Sequence, residues 1–193
     1  QLQTAQLLTK VTLCLSVVIS CTLTKIHAQA VNIEWQQVYG GSSTDGAYDI
    51  DATADGGYIT GGYSYSGISG NKTATNYGDS DYWVVKTDSV GNIEWQKTYG
   101  GSAFEQVETL SQTADGGYIL GGYSVSGISG NKTEANVAGS IDLWIVKIDA
   151  SGNITWQNAI GGNGSDYLGS IYPTADGGYI VGAYSFSGIS GDK

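Results

Sequence analysis

The 193-residue chain carries 30 Gly, 14 Tyr and 5 Trp against a single Pro, no Met and no Arg, and only 13% of it is charged. So little charge argues against a charge-driven disordered chain, and a formal net charge of −10 excludes a phosphate-backbone binder, which needs clustered basic side chains. Glycine and aromatics together predict short strands joined by tight turns, in a chain of the length of one domain.

The first feature in chain order is Lys10 followed by an apolar run, Val11 to Leu23, and a small-residue exit at Ile26-His27-Ala28. A basic flank, a short apolar stretch and a small-residue exit form the pattern of a secretory signal, so residues 1–28 are expected to be a signal peptide. The run is shorter than the ~20 apolar residues of a spanning helix, and no membrane span is expected. Val18-Ile19-Ser20-Cys21 also fits a bacterial lipoprotein box. Two routes therefore stay open, cleavage after Ala28 or a lipid anchor at Cys21. Cys14, Cys21 and the single histidine, His27, all fall in this segment. Residues 29–193 then hold no thiol nucleophile, no disulfide and no histidine ligand, and carry 18 acidic groups against six lysines, about −12. The expected location is secreted or at the cell surface, associated with the outer membrane.

An internal repeat follows. Asn32-Ile33-Glu34-Trp35-Gln36 recurs around Trp95 and Trp156, with the Trp residues 60 and then 61 apart. Gly40-Gly41, Gly100-Gly101 and Gly161-Gly162 follow each Trp at the same distance, then Asp45, Glu105 and Asp166, then Thr-Ala-Asp-Gly-Gly-Tyr-Ile from Thr53, Thr113 and Thr174. The repeats run over about 31–91, 92–152 and 153–193. The one extra residue enters between Gly130 and Trp144, which marks that stretch as a surface loop.

Each period predicts four strands. In the first they are Ala47–Thr53, Tyr58–Ser64, Tyr82–Thr87 and Ile93–Tyr99. Asp55-Gly56 is expected to form a two-residue I′ turn, since its residues tolerate positive φ. Gly61-Gly62 inside the second strand indicates a bulge or a close neighbouring backbone. Long polar loops, Tyr65–Ser80 and Val125–Ser140, join the second strand to the third. Four strands per period of about 60 residues predict an all-β fold, the four-stranded antiparallel blades of a β-propeller, in preference to a β-solenoid, whose coils are shorter. Counting strands predicts about two and a half blades: a lone fourth-type strand at Ile33–Tyr39, two full blades, and a third that begins at Leu168. The chain is therefore expected to be a propeller fragment, with a liability to aggregate at its unpaired edge, Tyr179–Ser185.

The strings Trp95–Gly101 (WQKTYGG), Thr113–Tyr123 (TADGGYILGGY) and Asp142–Asp149 (DLWIVKID) resemble the seven-bladed β-propeller repeats of secreted bacterial proteins, especially those of Bacteroidetes surface proteins, with a kelch-like pattern of Gly-Gly, Tyr and Trp. The resemblance covers about residues 31–193 and implies the propeller fold.

No catalytic residue is expected. Asp49 and Asp51 form the one candidate carboxylate pair, on the innermost strand, but their counterparts are Thr109 with Ser111 and Ser170 with Tyr172, so solvated channel-lining residues are the expectation. Asp45, Glu105 and Asp166, with Asp81 and Asp142 before the third strands, are candidate oxygen ligands for Ca²⁺, and no other cofactor is expected. Turn capping by the same carboxylates is the competing expectation. Lys86 and Lys147 lie mid-strand and should either reach outward or pair with carboxylates. Asn71, Lys72, Tyr77, Asn131 and Lys132, on the long loops, are the candidate ligand-binding residues. Two functions fit: a non-catalytic scaffold for binding or adhesion with a surface glycan or protein ligand and no nucleic acid, or an accessory propeller domain of a larger secreted hydrolase.

Overall fold

The structure is a computed structural model, and residues 33–137 and 141–192 are described here. The expected signal peptide at 1–28, with Cys21, and the tip of the second long loop lie outside the described residues.

Among the described residues, ten strands make three sheets. Strands β1 (Asp45–Ala52), β2 (Tyr58–Ser64), β3 (Asp81–Thr87) and β4 (Ile93–Tyr99) form the first, and β5 (Glu105–Gln112), β6 (Tyr118–Ser124), β7 (Asp142–Ile148) and β8 (Ile154–Ile160) the second. Strands β9 (Asp166–Pro173) and β10 (Tyr179–Ser185) form a two-stranded third. Every neighbouring pair is antiparallel. These are about two and a half propeller-like blades, as the repeat count predicts. The expected bounds of β2 and β4 are met, while β1 and β3 each begin earlier, at Asp45 and Asp81.

The sheets pack face to face. In the first joint Ile59, Tyr82 and Val84 of one sheet meet Val107, Leu110, Trp144 and Val146 of the next. In the second, Ile119, Leu143 and Ile145 meet Leu168 and Ile171. Strands β3 and β7 are buried along their whole length, which is why their centres, Tyr82–Val85 and Leu143–Val146, read as continuous apolar runs rather than alternating ones. Tyr82 lies 4.8 Å from the Trp144 ring and donates to the Trp144 carbonyl at 2.8 Å, so one residue closes the joint by area and by hydrogen bond.

The hairpins are not two-residue turns. Ala52 pairs with Tyr58, and the Gly56 N–H donates to Thr53 O at 2.8 Å with Gly56 alone at φ 87°. The Asp55 carboxylate closes this longer turn by accepting from the Gly57 N–H at 3.0 Å. Residues 33–39 are not a strand, and among the described residues no third-type strand lies beside them to complete a ladder. Their side chains still do the work of a fourth strand: Trp35 packs on Tyr58 as Trp95 does on Tyr118, and the Tyr39 hydroxyl donates to Gly91 O as Tyr99 does to Gly152 O.

Asp49 and Asp51 are not simply solvated. Asp49 accepts from the Leu110 N–H at 2.8 Å and Asp51 from the Gln112 N–H at 3.2 Å. They cap backbone groups on the inner edge of β5, which has no partner strand, and so tie one blade to the next.

Candidate ligand-binding surface

The acid that opens each blade is a corner lock. Asp45 accepts from the Gly41 N–H and the Ser66 hydroxyl, Glu105 from the Gly101 and Ser126 N–H groups, and Asp166 from the Gly162 N–H and the Ser187 hydroxyl. Each thereby pins the loop before the first strand to the loop after the second. Asp81 and Asp142 accept from the N–H groups of Tyr77 and Val137. Among the described residues, no three His, Cys, Asp or Glu side chains converge to hold a metal ion. The hydrogen bonds that all five carboxylates accept are those of turn caps.

The long loops are held just as tightly. The Asn71 amide accepts from Gly40 N–H at 2.8 Å and donates to Val38 O at 2.8 Å, mimicking a peptide group beside a strand. Asn131 does the same with Gly100 and Thr98. Lys72 and Lys132, expected at solvent-facing loop tips, are buried. Lys72 donates to Ala74 O at 2.7 Å and lies 5.9 Å from the Trp83 ring centroid; Lys132 donates to Glu134 O and to Asn136, 5.7 Å from that of Trp144. Burial holds both ammonium pKa values down, with Asp45 and Asp81 opposing at Lys72 and Glu105, Asp142 and Glu134 opposing at Lys132. Lysines reading as polar tips in sequence are therefore internal fasteners. Lys86 and Lys147 are paired: Lys86 bridges Asp55 at 2.9 Å and Glu94 at 2.8 Å, and Lys147 reaches Asp115 at 3.0 Å. Only Tyr77, of the five candidate ligand residues, combines an exposed ring with a cleft, a cavity of about 410 Å³ that Asn131 also lines.

A larger surface escapes sequence reading. Tyr48, Tyr63, Tyr65, Phe104, Tyr123, Tyr167, Tyr184 and Phe186 form an unbroken belt of ring contacts across all three sheets. Centroid spacings run from 5.2 Å for the stacked pair Tyr167–Tyr184 to 6.5 Å for Tyr167–Phe186. Tyr48, Tyr65, Tyr184 and Phe186 are exposed, and the remaining rings are half-buried.

A bulge builds this belt. The register of each first strand slips by one residue, between Ala47 and Asp49 and between Val107 and Thr109, and the β9–β10 ladder slips likewise. The extra residue is Tyr48, Glu108 or Gly169, and a bulge re-aims the side chain it carries. Glu108 enters the belt beside Tyr123. Burial raises the Glu108 carboxyl pKa, opposed by the hydrogen bond from Gln106 at 2.6 Å. Burial also pushes the Tyr123 phenol up to about 12, with Glu108, Tyr48, Tyr167 and Tyr184 adding to the effect. Glu108 and tyrosines of the first and third sheets therefore gather around Tyr123 of the second. The framework residues recur from repeat to repeat, and so does one belt position, Tyr63, Tyr123 and Tyr184, whereas the positions around it vary: Thr44, Phe104 and Ser165; Tyr65, Val125 and Phe186; Tyr48, Glu108 and Gly169. A constant frame presenting a changing surface suits recognition better than packing.

No family model matches this chain, and no curated protein matches it either.

Proposed function

We propose that this chain is a non-catalytic binding scaffold whose ligand is a glycan, held along the aromatic belt. The carrying observation is the run of partly exposed tyrosines across three repeats. A sugar ring presents apolar C–H faces and a rim of hydroxyls, and tyrosine offers an apolar face with a polar tip. The acidic balance supports a neutral glycan over a phosphate-rich polymer, which a net charge of −10 repels. The leader-like pattern in residues 1–28 supports a secreted or cell-surface setting. The WQKxYGG and TADGGYI strings support placement among the Bacteroidetes-type propeller repeats.

Affinity electrophoresis in gels containing neutral soluble polysaccharides, such as xylan, galactomannan and hydroxyethyl cellulose, tests the reading. The chain is expected to be retarded by at least one. Tyr184→Ala is expected to weaken retention about three- to tenfold, the effect of losing a ring contact worth about 0.5–1.5 kcal/mol. Unchanged mobility in the whole panel overturns the proposal.

A further inference from the structure

The cleft beside Tyr77 lies at the first joint, walled by β4 of the first sheet and by the turn that leads into β8 of the second. Both sheets are four-stranded, so two whole units shape it. Its volume of about 410 Å³ falls in the ~300–1,000 Å³ range of small-molecule sites. Lys97 lines it. Among the described lysines, Lys72, Lys86, Lys132 and Lys147 are held by hydrogen bonds or ion pairs, whereas Lys97 has neither. Thr98 also lines the cleft; it is 6% exposed, and its Oγ1 has no hydrogen-bond partner. A buried hydroxyl left unpaired costs free energy that a partner would recover. Glycines of the second repeat seat both Lys97 and Tyr77: a Cβ on Gly152 would stand 2.9 Å from Lys97 Cγ, and one on Gly130 would stand 3.0 Å from Tyr77 Cγ. The frame recurs but these two side chains do not. Lys97 stands where Gln37 and Asn158 do, and Tyr77, whose N–H caps Asp81, stands where Val137 caps Asp142.

We propose that this cleft is a binding site for a uronic acid residue of a short oligosaccharide, with the Tyr77 ring against the sugar's C–H face and the Lys97 ammonium on its carboxylate. One lysine matches one carboxylate through a charge-assisted hydrogen bond. The net charge of −10 repels a long polyanion, which restricts the ligand to few charges. An acidic peptide fits less well. Asn131 already occupies the edge of β4 at Thr98 O and the Gly100 N–H, so an extended chain finds no continuous ladder there. A sugar also brings hydroxyls, the kind of partner that Thr98 lacks. None of the residues lining the cleft belongs to the aromatic belt, so the site does not depend on the ligand proposed for the belt.

Saturation-transfer NMR titrations of the full chain with D-glucuronate, D-glucose and the α-amide of N-acetylglutamate, a stand-in for an acidic side chain, test this. Glucuronate is expected to bind about tenfold more tightly than either of the others, and sodium chloride should weaken it by screening the ion pair. Lys97→Gln installs the side chain that the first repeat carries at Gln37. It should weaken glucuronate binding about tenfold while keeping the wild-type circular dichroism spectrum, and Lys97→Arg should retain binding. Tyr77→Ala should weaken it about three- to tenfold. Glucuronate that binds no more tightly than glucose, a glutamate amide that binds as tightly as glucuronate, or a Lys97→Gln variant that binds as the wild type does overturns the proposal.

Discussion

Asp81→Asn is expected to flatten the dependence of stability on pH between 5 and 8. Asp81 is fully buried at the corner of the first joint; its Oδ2 accepts from the Tyr77 N–H at 2.6 Å, and its Oδ1 has no hydrogen-bond partner. Burial raises its pKa from 3.8 to about 7, Glu105 adds to the shift, and the Tyr77 and Gly78 N–H groups with Lys72 oppose it. A folded pKa above the unfolded one means that the folded state holds the extra proton. The associated stability is complete below pH 3.8 and is lost as pH rises through about 7. At 1.36 kcal/mol per pKa unit, this group costs the fold about 2–3 kcal/mol more at pH 8 than at pH 5. The asparagine cannot ionise, so that loss disappears, while Glu108 and other carboxyl groups titrate alike in both proteins and cancel in the difference. Urea unfolding of wild type and variant at the two pH values measures it. Equal pH slopes for the two proteins would refute the assignment of a buried, proton-binding Asp81.

Trp144→Ala removes a fully buried ring from the first joint and should cost about 3–5 kcal/mol, read as a lowered urea midpoint. Gly61→Val should cost about 1–3 kcal/mol, because its Cβ falls 2.6 Å from Leu110 Cδ2 in a packed joint, and the melting temperature reports it. Tyr99→Phe deletes a buried hydroxyl donating to Gly152 O at 2.7 Å and leaves that carbonyl short of a partner, a loss of about 1–2 kcal/mol in the same assay. The Asp115 carboxyl is held down to about 2 by the Thr113 hydroxyl and then by Lys147. Its contribution is present above the ordinary carboxyl pKa and is lost as pH falls through about 2, so Asp115→Asn should make acid unfolding less steep between pH 4 and 2.

The amino-acid sequence alone determined the period, the strands of the three sheets and the sites of the hairpins. These depend on near neighbours: Thr-Ala-Asp-Gly-Gly-Tyr-Ile encodes a turn and the strand after it whatever lies beyond. Even the pairing of Lys86 and Lys147 with carboxylates was among the expectations, because burying an ammonium group calls for a partner. Tertiary structure decided the rest. Ile33–Tyr39 has the composition of a strand, yet a strand exists only where another backbone completes its ladder. Asn71, Lys72, Asn131 and Lys132 look like polar loop tips until folding brings the preceding Gly-Gly corner and the Trp rings against them. Asp49 and Asp51 acquire their role from the open edge of a strand in the next blade. The belt was hidden for the same reason. A one-residue bulge reverses which face a side chain takes, so simple alternation cannot place Tyr48 or Glu108, and only the packing of three sheets side by side aligns tyrosines that lie about sixty residues apart in the chain.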